Sequence, residues 1–206
     1  MILYLVRHGQ SESNVSGKVQ GPDDALTEQG ILQAHALAAR VENLEPDAIY
    51  TSPFLRTRMT ADIIAARVGK SAILHDDLHE SMWAERFWGM PRSDPSFAPL
   101  LASYSDDETE AEWDATSHET WRTLNERADR VLAFFASQKY ESVLAVSHGY
   151  FLRFLIRRML LGDALTVGLS NKTDLQIKIS NTGLSVLKYE GGVWQLVTWN
   201  DHAHLG

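Results

Sequence analysis

Cysteine is absent from this chain of 206 residues. Its absence excludes disulfide bonds, cysteine nucleophiles and metal sites built on thiolates. A chain without cysteine suits a reducing compartment, and we expect a cytoplasmic protein. Long apolar runs are also missing, since the longest, such as residues 2–6, have about five residues, whereas a membrane span needs ~20. We therefore expect neither a membrane span nor a signal peptide.

Positive charge is scarce as well. The chain has 19 lysines and arginines against 27 aspartates and glutamates, which gives a net charge of −8, and the basic residues form no run. Nucleic-acid binding is not expected, because it requires a basic face that neutralises phosphates. The acidic excess lies between residues 81 and 120, where nine acids and two bases leave a net charge of −7. We expect this segment to be a distinct surface feature.

The spacing of apolar residues predicts strands that alternate with helices over most of the chain. The predicted strands are residues 2–6, 47–51, 71–74 and 143–147, followed by 175–180, 184–189 and 193–199 near the end. The predicted helices run from a cap at Thr27 to about residue 42, from 53 to 68, from a cap at Ser117 through residue 135, and from 150 to 161.

This alternation predicts an α/β protein, a three-layer α/β/α sandwich with a mostly parallel central sheet. The late strands are expected to add antiparallel pairing at one edge. We expect residues 1–206 to form a single domain. Residues 81–116 contain three prolines and little periodicity, and they are expected to form an acidic insert over the active site.

Two similar segments lie far apart in the sequence. LVRHG closes the first predicted strand at residues 5–9, and AVSHG closes a later one at residues 145–149. Each places a histidine, His8 or His148, just beyond a buried strand, and Arg56 lies on the first turn of the helix after another strand. Because ligands bind beyond the carboxyl ends of strands in open α/β sheets, we expect these residues and Arg7 to share one pocket.

This set of side chains indicates phosphate chemistry. The fork of an arginine matches two phosphate oxygens, and a neutral imidazole can attack phosphorus without a metal. The second histidine can donate hydrogen bonds to the transferring group. A proton donor for the leaving oxygen is also needed, and Glu80, which follows the third strand, is the best candidate. The open alternatives for this acid are Glu12, Glu85, Glu110 and Glu119.

The sequence resembles the histidine phosphatase superfamily, also called the phosphoglycerate mutase-like family. The segment LVRHGQSESN at residues 5–14 is similar to the opening motif of that family. Later motifs follow in the family's order, namely QG at 20–21, LTEQG at 26–30, SPFLRT at 52–57, LHE at 78–80 and VSHG at 146–149. The resemblance covers roughly residues 1–190, and several ordered motifs are far more specific than a lone Arg-His-Gly.

The resemblance assigns a role to each matching position. It implies that His8 is the phosphorylated nucleophile and that Glu80 is the general acid and then the base that activates water. It further implies phosphoryl binding by Arg7, Arg56 and His148. Asn14, Gln20 and Gly21 would line the approach of the substrate, although Asn14 has the alternative role of capping a turn. No metal and no cofactor are implied.

The favoured function is a metal-independent phosphatase that hydrolyses small-molecule phosphomonoesters through a phosphohistidine intermediate. One alternative is a cofactor-dependent phosphoglycerate mutase, and a second is a non-catalytic phosphoester-binding protein. The short chain and the lack of an evident basic cluster for a substrate carboxylate favour the phosphatase. The expected partner is a small phosphorylated substrate, and the oligomeric state is open between a monomer and a homodimer. We expect the acidic insert to disfavour polyanionic substrates.

Overall fold

A central β-sheet organises the computed structural model, which describes residues 1–81, 83, 85–95, 119–174 and 176–206. Its strands in these ranges are β1 (Ile2–Arg7), β2 (Ala48–Thr51), β3 (Ala72–Leu74), β4 (Ser142–Ser147), β5 (Leu184–Glu190) and β6 (Val193–Asp201). Its helices there are α1 (Glu12–Ser16), α2 (Glu28–Val41), α3 (Leu55–Val68), α4 (Trp121–Ala136), α5 (Gly149–Leu161) and α6 (Val167–Asp174).

The strand order is β3-β2-β4-β1-β5-β6 across the described part of the sheet. The first four strands in this order pair in parallel, whereas β5 is antiparallel to β1 and β6 is antiparallel to β5. The predicted mostly parallel sheet with an antiparallel edge is therefore confirmed. Parallel strands joined through helices bring both faces of the sheet into the core, as the near-continuous apolar runs of β1 and β4 require.

Helices cover both faces of the sheet, as the three-layer prediction required. Leu3 and Leu5 of β1 pack with residues of α4 and α5 on one face. Val6 packs with residues of α2 and α3 on the other face. Successive side chains of a strand point to opposite faces, so one short strand contributes to both halves of the core.

The register of the parallel strands sets the position of the strand ends. In the pairing of β1 with β4, Arg7 lies opposite Ser147. The residues that follow are His8 and His148, and the His8 N–H donates to the Ser147 carbonyl at 3.0 Å. Two histidines 140 positions apart in sequence are thus neighbours at the carboxyl edge of the sheet.

A close approach of two glycines packs the loop after β1 against α2. A Cβ at Gly9 would overlap the carbonyl oxygen of Gly30, and a Cβ at Gly30 would overlap the carbonyl oxygen of Gln10. Gly30 lies in the first turn of α2, where its N–H donates to the Thr27 hydroxyl at 3.0 Å. The predicted Thr27 cap is confirmed, and glycine at both positions allows the loop carrying His8 to lie directly on the helix.

The prediction of a strand at 175–180 was wrong for the described residues 176–180, which belong to no strand. Side chains satisfy the backbone of this segment instead of a neighbouring strand. Arg7 donates to the Ile179 carbonyl at 2.7 Å, Trp199 donates to the Lys178 carbonyl at 2.8 Å, and the Ser180 N–H donates to Asn200 Oδ1 at 2.7 Å. Helix α6, which immediately precedes the segment, was not anticipated.

Two further predictions fall on residues 96–118, which lie outside the described residues. One is the cap at Ser117; in the structure the helix begins at Trp121, and Thr120 caps it by accepting the Thr123 N–H at 3.0 Å. The other is most of the acidic insert. The described part of that insert contains a 3₁₀ turn at Glu85–Phe87 and a bridge between Lys18 and Pro91. Among the described residues, no helix has the length and apolar character needed to cross a membrane.

Replacement of Gly30 by alanine tests the close packing of the loop on α2. In an exposed helix this change would stabilise the protein by about 1 kcal/mol. Here the new Cβ overlaps backbone, so we expect Gly30→Ala to lower the free energy of unfolding by about 1–3 kcal/mol. Urea unfolding measures the change. Gln29→Ala, at the exposed neighbouring position, should stay within about 0.5 kcal/mol of wild type, and a stabilised Gly30→Ala protein would contradict the packing.

Candidate active site

A cavity of about 320 Å³ opens beyond the carboxyl ends of β1 and β4. Its wall combines the predicted His8, Arg7 and Glu80 with polar side chains of α1, the following loop and α5. The lining residues are Arg7, His8, Ser13, Asn14, Gly17, Gln20, Glu80, Arg92, Gly149, Tyr150 and Arg153. The site therefore lies at the predicted edge of the sheet, but Arg56 and His148, which were expected to share the pocket, are not among its lining residues.

His8 is buried at the floor of this cavity, with only 1% of its surface exposed. Its Nδ1 lies 2.6 Å from the Gly9 carbonyl oxygen, and because a carbonyl only accepts, Nδ1 carries the proton. The lone pair of the neutral ring is then on Nε2. Burial, assisted by the charges of Arg56 and Arg7, holds the pKa of His8 well below its usual value. The ring is thus a neutral imidazole with an available nitrogen lone pair.

His148 lies against His8, with ring centroids 5.3 Å apart in an edge-to-face arrangement. It is fully buried, and its Nε2 is 2.8 Å from the hydroxyl of Ser52, the residue that follows β2. Burial is the main cause that lowers the pKa of His148 far below its usual value, with the charge of Arg56 next. When the Ser52 hydroxyl donates to Nε2, the Nδ1 of the neutral ring carries a proton that it can donate.

Two arginines bring positive charge to the site. Arg56 is fully buried, and its Nη1 donates to the Gly21 carbonyl at 2.7 Å. Arg7 donates to the Ile179 carbonyl, and burial lowers its pKa to about 10, against an opposing effect of the Glu80 charge. Within the described residues, Arg7 Nε and Arg56 Nε and Nη2 are buried donors with no protein partner, and of these two arginines only Arg7 lines the cavity.

The Glu80 carboxyl accepts hydrogen bonds from the first turn of α5. Its Oε1 accepts the N–H groups of Phe151 at 2.8 Å and Ser81 at 3.1 Å, and its Oε2 accepts the Tyr150 N–H at 3.2 Å. Burial raises the pKa of this carboxyl, while the charge of Arg56 and the two helix N–H groups oppose the rise. Because Oε1 accepts the two shorter bonds, Oε2 is the oxygen better suited to carry a proton.

The three predicted approach residues have different positions. Asn14 and Gln20 line the cavity. Asn14 also accepts the Ser11 N–H at 3.1 Å in the cap of α1, which is the capping contact weighed as its alternative role. Gln20 donates to Ser11 Oγ at 2.8 Å. Gly21 contributes its carbonyl to Arg56 and is not among the cavity-lining residues.

The alternative acids differ from Glu80 in their surroundings. Glu12 and Glu85 are exposed and do not line the cavity, and Glu119 is paired with Arg127 through two hydrogen bonds. Glu110 lies outside the described residues. Over the described ranges, no group of three or more His, Asp or Glu side chains is arranged to hold a metal ion.

Sequence reasoning missed Ser52, Arg92 and Arg153. Ser52 follows β2 as His8 follows β1, so its strand-end position was a usable signal. Arg153 lies one helical turn after Gly149 on α5, and it forms a two-bond ion pair with Asp174 at 2.9 Å. Arg92 is exposed at the cavity, and its N–H donates to the Gly17 carbonyl at 2.9 Å; nothing in the local pattern indicated this contact.

Taken together, the cavity and the side chains around it carry groups suited to phosphoryl transfer. His8, Arg7 and Glu80 line the cavity, His148 packs against the His8 ring, and Arg56 is fully buried and does not line the cavity. Such an arrangement positions a nucleophile and places positive charge where negative charge develops on equatorial oxygens.

Comparison with known proteins identifies related chains of similar length. The sequence model described as the histidine phosphatase superfamily, branch 1, matches residues 3–202. A Hydrogenobacter thermophilus protein named "Putative phosphoserine phosphatase 2" is 30% identical over 208 residues, which cover 98% of this chain and 96% of that protein. A Yersinia pestis protein named "Probable phosphoglycerate mutase GpmB" is 29% identical over 213 residues, which cover 98% of this chain and 94% of that protein.

A solved structure is similar in fold over its whole length. The crystal structure of a variant phosphoserine phosphatase from Entamoeba histolytica, in complex with phosphoserine, has a TM-score of 0.80 with this chain. The two sequences are 25% identical, and the match covers 99% of this chain and 98% of the other.

The buried histidines predict a pH-dependent stability. Because the pKa values of His8 and His148 are lowered in the folded state, the unfolded chain takes up protons below pH ~6.5 that the folded protein does not. Their contribution to stability is complete above that pH and is lost as the pH falls. Between pH 6 and pH 5, each histidine should lower the free energy of unfolding by about 1 kcal/mol.

Urea unfolding of the wild type and of His148→Gln measures this loss. Glu80 and His8 are present in both proteins, so their contributions cancel in the comparison. We expect the variant to lose about 1 kcal/mol less than the wild type between pH 6 and pH 5. Equal losses in the two proteins would show that His148 is protonated in the folded state.

Proposed function

Because the chain belongs to the histidine phosphatase superfamily and is an enzyme of the phosphatase type, we propose that it hydrolyses small phosphomonoesters through a phosphohistidine formed on His8, without a metal ion. The observation that carries the proposal is the state of the His8 ring. Its Nδ1 proton is held by the Gly9 carbonyl and its pKa is lowered, so a neutral Nε2 faces a cavity that also holds arginine donors.

In the first step, His8 Nε2 attacks phosphorus and the bond from phosphorus to the ester oxygen breaks. Arg7, Arg56 and His148 stabilise the oxygens of the transferring group, in the role that a Mg²⁺ ion has in other phosphoryl-transfer enzymes. The proton on Glu80 moves to the leaving oxygen, so the alcohol departs neutral. The raised pKa of Glu80 favours the protonated form that this step requires.

In the second step, water replaces the alcohol. Glu80, now a carboxylate, takes a proton from that water while the water oxygen attacks phosphorus. The bond from phosphorus to His8 Nε2 breaks, and phosphate leaves with the ring neutral again. Glu80 ends the cycle protonated, as it began. Glu80 and His8 line the same cavity, and this shared position supports both proton transfers.

The proposal defines the reaction more narrowly than it defines the substrate. The phosphoserine bound in the related Entamoeba histolytica structure supports a small phosphorylated metabolite, and a cavity of about 320 Å³ suits a ligand of that size. A cytoplasmic location stays a prediction of the sequence analysis, and the oligomeric state stays open between a monomer and a homodimer.

A phosphoglycerate mutase is the second candidate, because the 29% identical Yersinia relative carries that name. A mutase uses the same phosphohistidine but returns the phosphoryl group to a second hydroxyl of the substrate instead of to water. Incubation with 3-phosphoglycerate, followed by separate measurement of free phosphate and of 2-phosphoglycerate, distinguishes the two. Release of phosphate without the isomer supports the phosphatase.

Replacement of His8 tests the nucleophile. We expect His8→Ala to abolish turnover and the covalent phosphoenzyme, both measured in EDTA with radiolabelled substrate. The trapped wild-type label should be labile in acid and stable in base, as a phosphohistidine is. His35→Ala, at an exposed position of α2, is the matched control and should keep wild-type labelling. Label that persists in His8→Ala, or activity that disappears in EDTA, would contradict the mechanism.

Replacement of Glu80 tests the acid. Phenyl phosphate and p-nitrophenyl phosphate have similar shapes, but phenolate is the poorer leaving group and depends more on a proton. We expect Glu80→Gln to lower kcat by about 10²-fold for phenyl phosphate and by much less for p-nitrophenyl phosphate. The control is Glu85→Gln, which removes an exposed alternative acid and should change neither rate.

The pH profile gives a second measurement of the same variant. Because the pKa of Glu80 is raised, the wild type should lose activity as the pH rises through that value. The lowered pKa of His8 should preserve activity below pH ~6.5. Glu80→Gln should lack the alkaline loss and should behave like the wild type below pH ~6.5. If Glu80→Gln lowered kcat equally for both esters and left the alkaline limb of the pH profile unchanged, Glu80 would be excluded as the acid.

A further inference from the structure

Arg127 of α4 is a buried cation that does not line the cavity, with 2% of its surface exposed. We infer that Arg127, together with Ser147, is a positioning residue that holds Glu80 in place for proton transfer without touching the substrate. The inference rests on the proposed function, since it assumes that Glu80 is the acid.

The segment before Glu80 is held through three consecutive carbonyl groups. Arg127 Nη1 donates to the Asp77 carbonyl at 2.8 Å and to the His79 carbonyl at 2.9 Å. The carbonyl between them, that of Leu78, accepts the Ser147 hydroxyl at 2.7 Å. The backbone that leads into Glu80 is therefore attached both to α4 and to the end of β4.

Arg127 also contacts the partner of the Glu80 carboxylate. Its guanidinium lies over the ring of Phe151, 4.0 Å from the centroid. The Phe151 N–H donates the shortest of the hydrogen bonds to the Glu80 carboxyl, at 2.8 Å. One side chain thus touches the backbone on one side of Glu80 and the residue that binds its carboxyl on the other.

The orientation of the guanidinium is itself fixed. Glu119 accepts from Arg127 Nε at 3.0 Å and also from Nη2, which leaves Nη1 directed at the two carbonyls. A planar guanidinium held on both edges can impose a defined geometry on the backbone. Ser147 immediately precedes His148, so the same strand end that carries the phosphoryl-binding histidine also anchors the acid.

Arg130 provides a matched control on the same helix. It lies one turn after Arg127 and pairs with the Asp77 side chain at 2.9 and 3.0 Å, but it is exposed, and no hydrogen bond connects it to the carbonyls before Glu80. Arg130→Met therefore removes an arginine of α4 and a contact with Asp77 while leaving the attachment of the Glu80 backbone intact.

The experiment compares Arg127→Met, Arg127→Lys, Arg130→Met and Glu80→Gln as full-length proteins. For each, kcat and KM are measured with phenyl phosphate and with p-nitrophenyl phosphate across the pH range, and folding is followed by circular dichroism. Should Arg127→Met fail to fold, Ser147→Ala removes one hydroxyl from the same set of contacts and receives the same measurements.

We expect Arg127→Met to lower kcat for phenyl phosphate by about 10-fold, a part of the effect of general acid catalysis, and for p-nitrophenyl phosphate by less than about 3-fold. KM should change little for either ester, and the alkaline limb of the pH profile should move. Arg127→Lys, which keeps a donor, should recover part of the loss, and Arg130→Met should match the wild type. In the background of Glu80→Gln, Arg127→Met should cause no further loss.

Two results would overturn the positioning role while leaving the proposed function intact. One is an equal loss of kcat on both esters in Arg127→Met. The other is a kcat of the double variant, Arg127→Met with Glu80→Gln, that falls by the product of the two single losses. A Glu80→Gln protein that does not distinguish the two esters would overturn the proposed role of Glu80, and the inference with it. Absence of all turnover in the wild type would reject the proposed function itself.

Discussion

The parallel pairing of β1 with β4 is the constraint on which the site depends. The register places Arg7 opposite Ser147, so the residues that follow, His8 and His148, meet at one edge of the sheet. A register shift of one residue would turn every side chain of β1 to the other face, so Leu3 and Leu5 would leave the half of the core that they fill with α4 and α5. The burial of Leu3, Leu5 and Val6 therefore fixes the same register that brings the two imidazoles together.

Burial is the common cause of the electrostatic properties of the site. Desolvation is the largest effect on the pKa of each of His8, His148, Glu80, Arg7 and Arg56. It favours the neutral form of each group, so the His8 ring is neutral and the Glu80 carboxyl keeps its proton to a higher pH than usual. The charges of Glu80 and Asp24 oppose this effect on Arg56, so Glu80, when it is ionised, favours the charged form of the Arg56 guanidinium.

Local patterns of the sequence predicted the sheet and the main reactive groups. A short apolar run followed by His-Gly is recognisable without knowledge of the fold, and the alternation of strands and helices places such runs at one edge. The residues that were missed depend on contacts between distant segments. Arg127 is an ordinary residue of an amphipathic helix until Asp77 and His79 present their carbonyls to it.

The wrong strand has the same origin. The apolar residues between 175 and 180 have high strand propensity, but propensity does not show which groups bind the backbone. In the fold, the side chains of Arg7, Trp199 and Asn200 form hydrogen bonds with the backbone groups that a neighbouring strand would otherwise pair with. One of these three is a residue of the site, so the local structure of the segment is coupled to the position of Arg7.

Net charge alone does not describe what a substrate meets at the cavity. In the described part of the insert, residues 85–95, two acids and two bases cancel, so the acidic excess belongs to residues 106–119. Charges near a protein surface interact by about 4 kcal/mol at 4 Å, whereas screening weakens those beyond ~8 Å at physiological salt. Arg92 and Arg153 line the cavity, and Asp174 pairs with Arg153 and also with Arg157. An anionic group of a ligand that reached this wall would therefore meet positive charge, whatever the net charge of the chain.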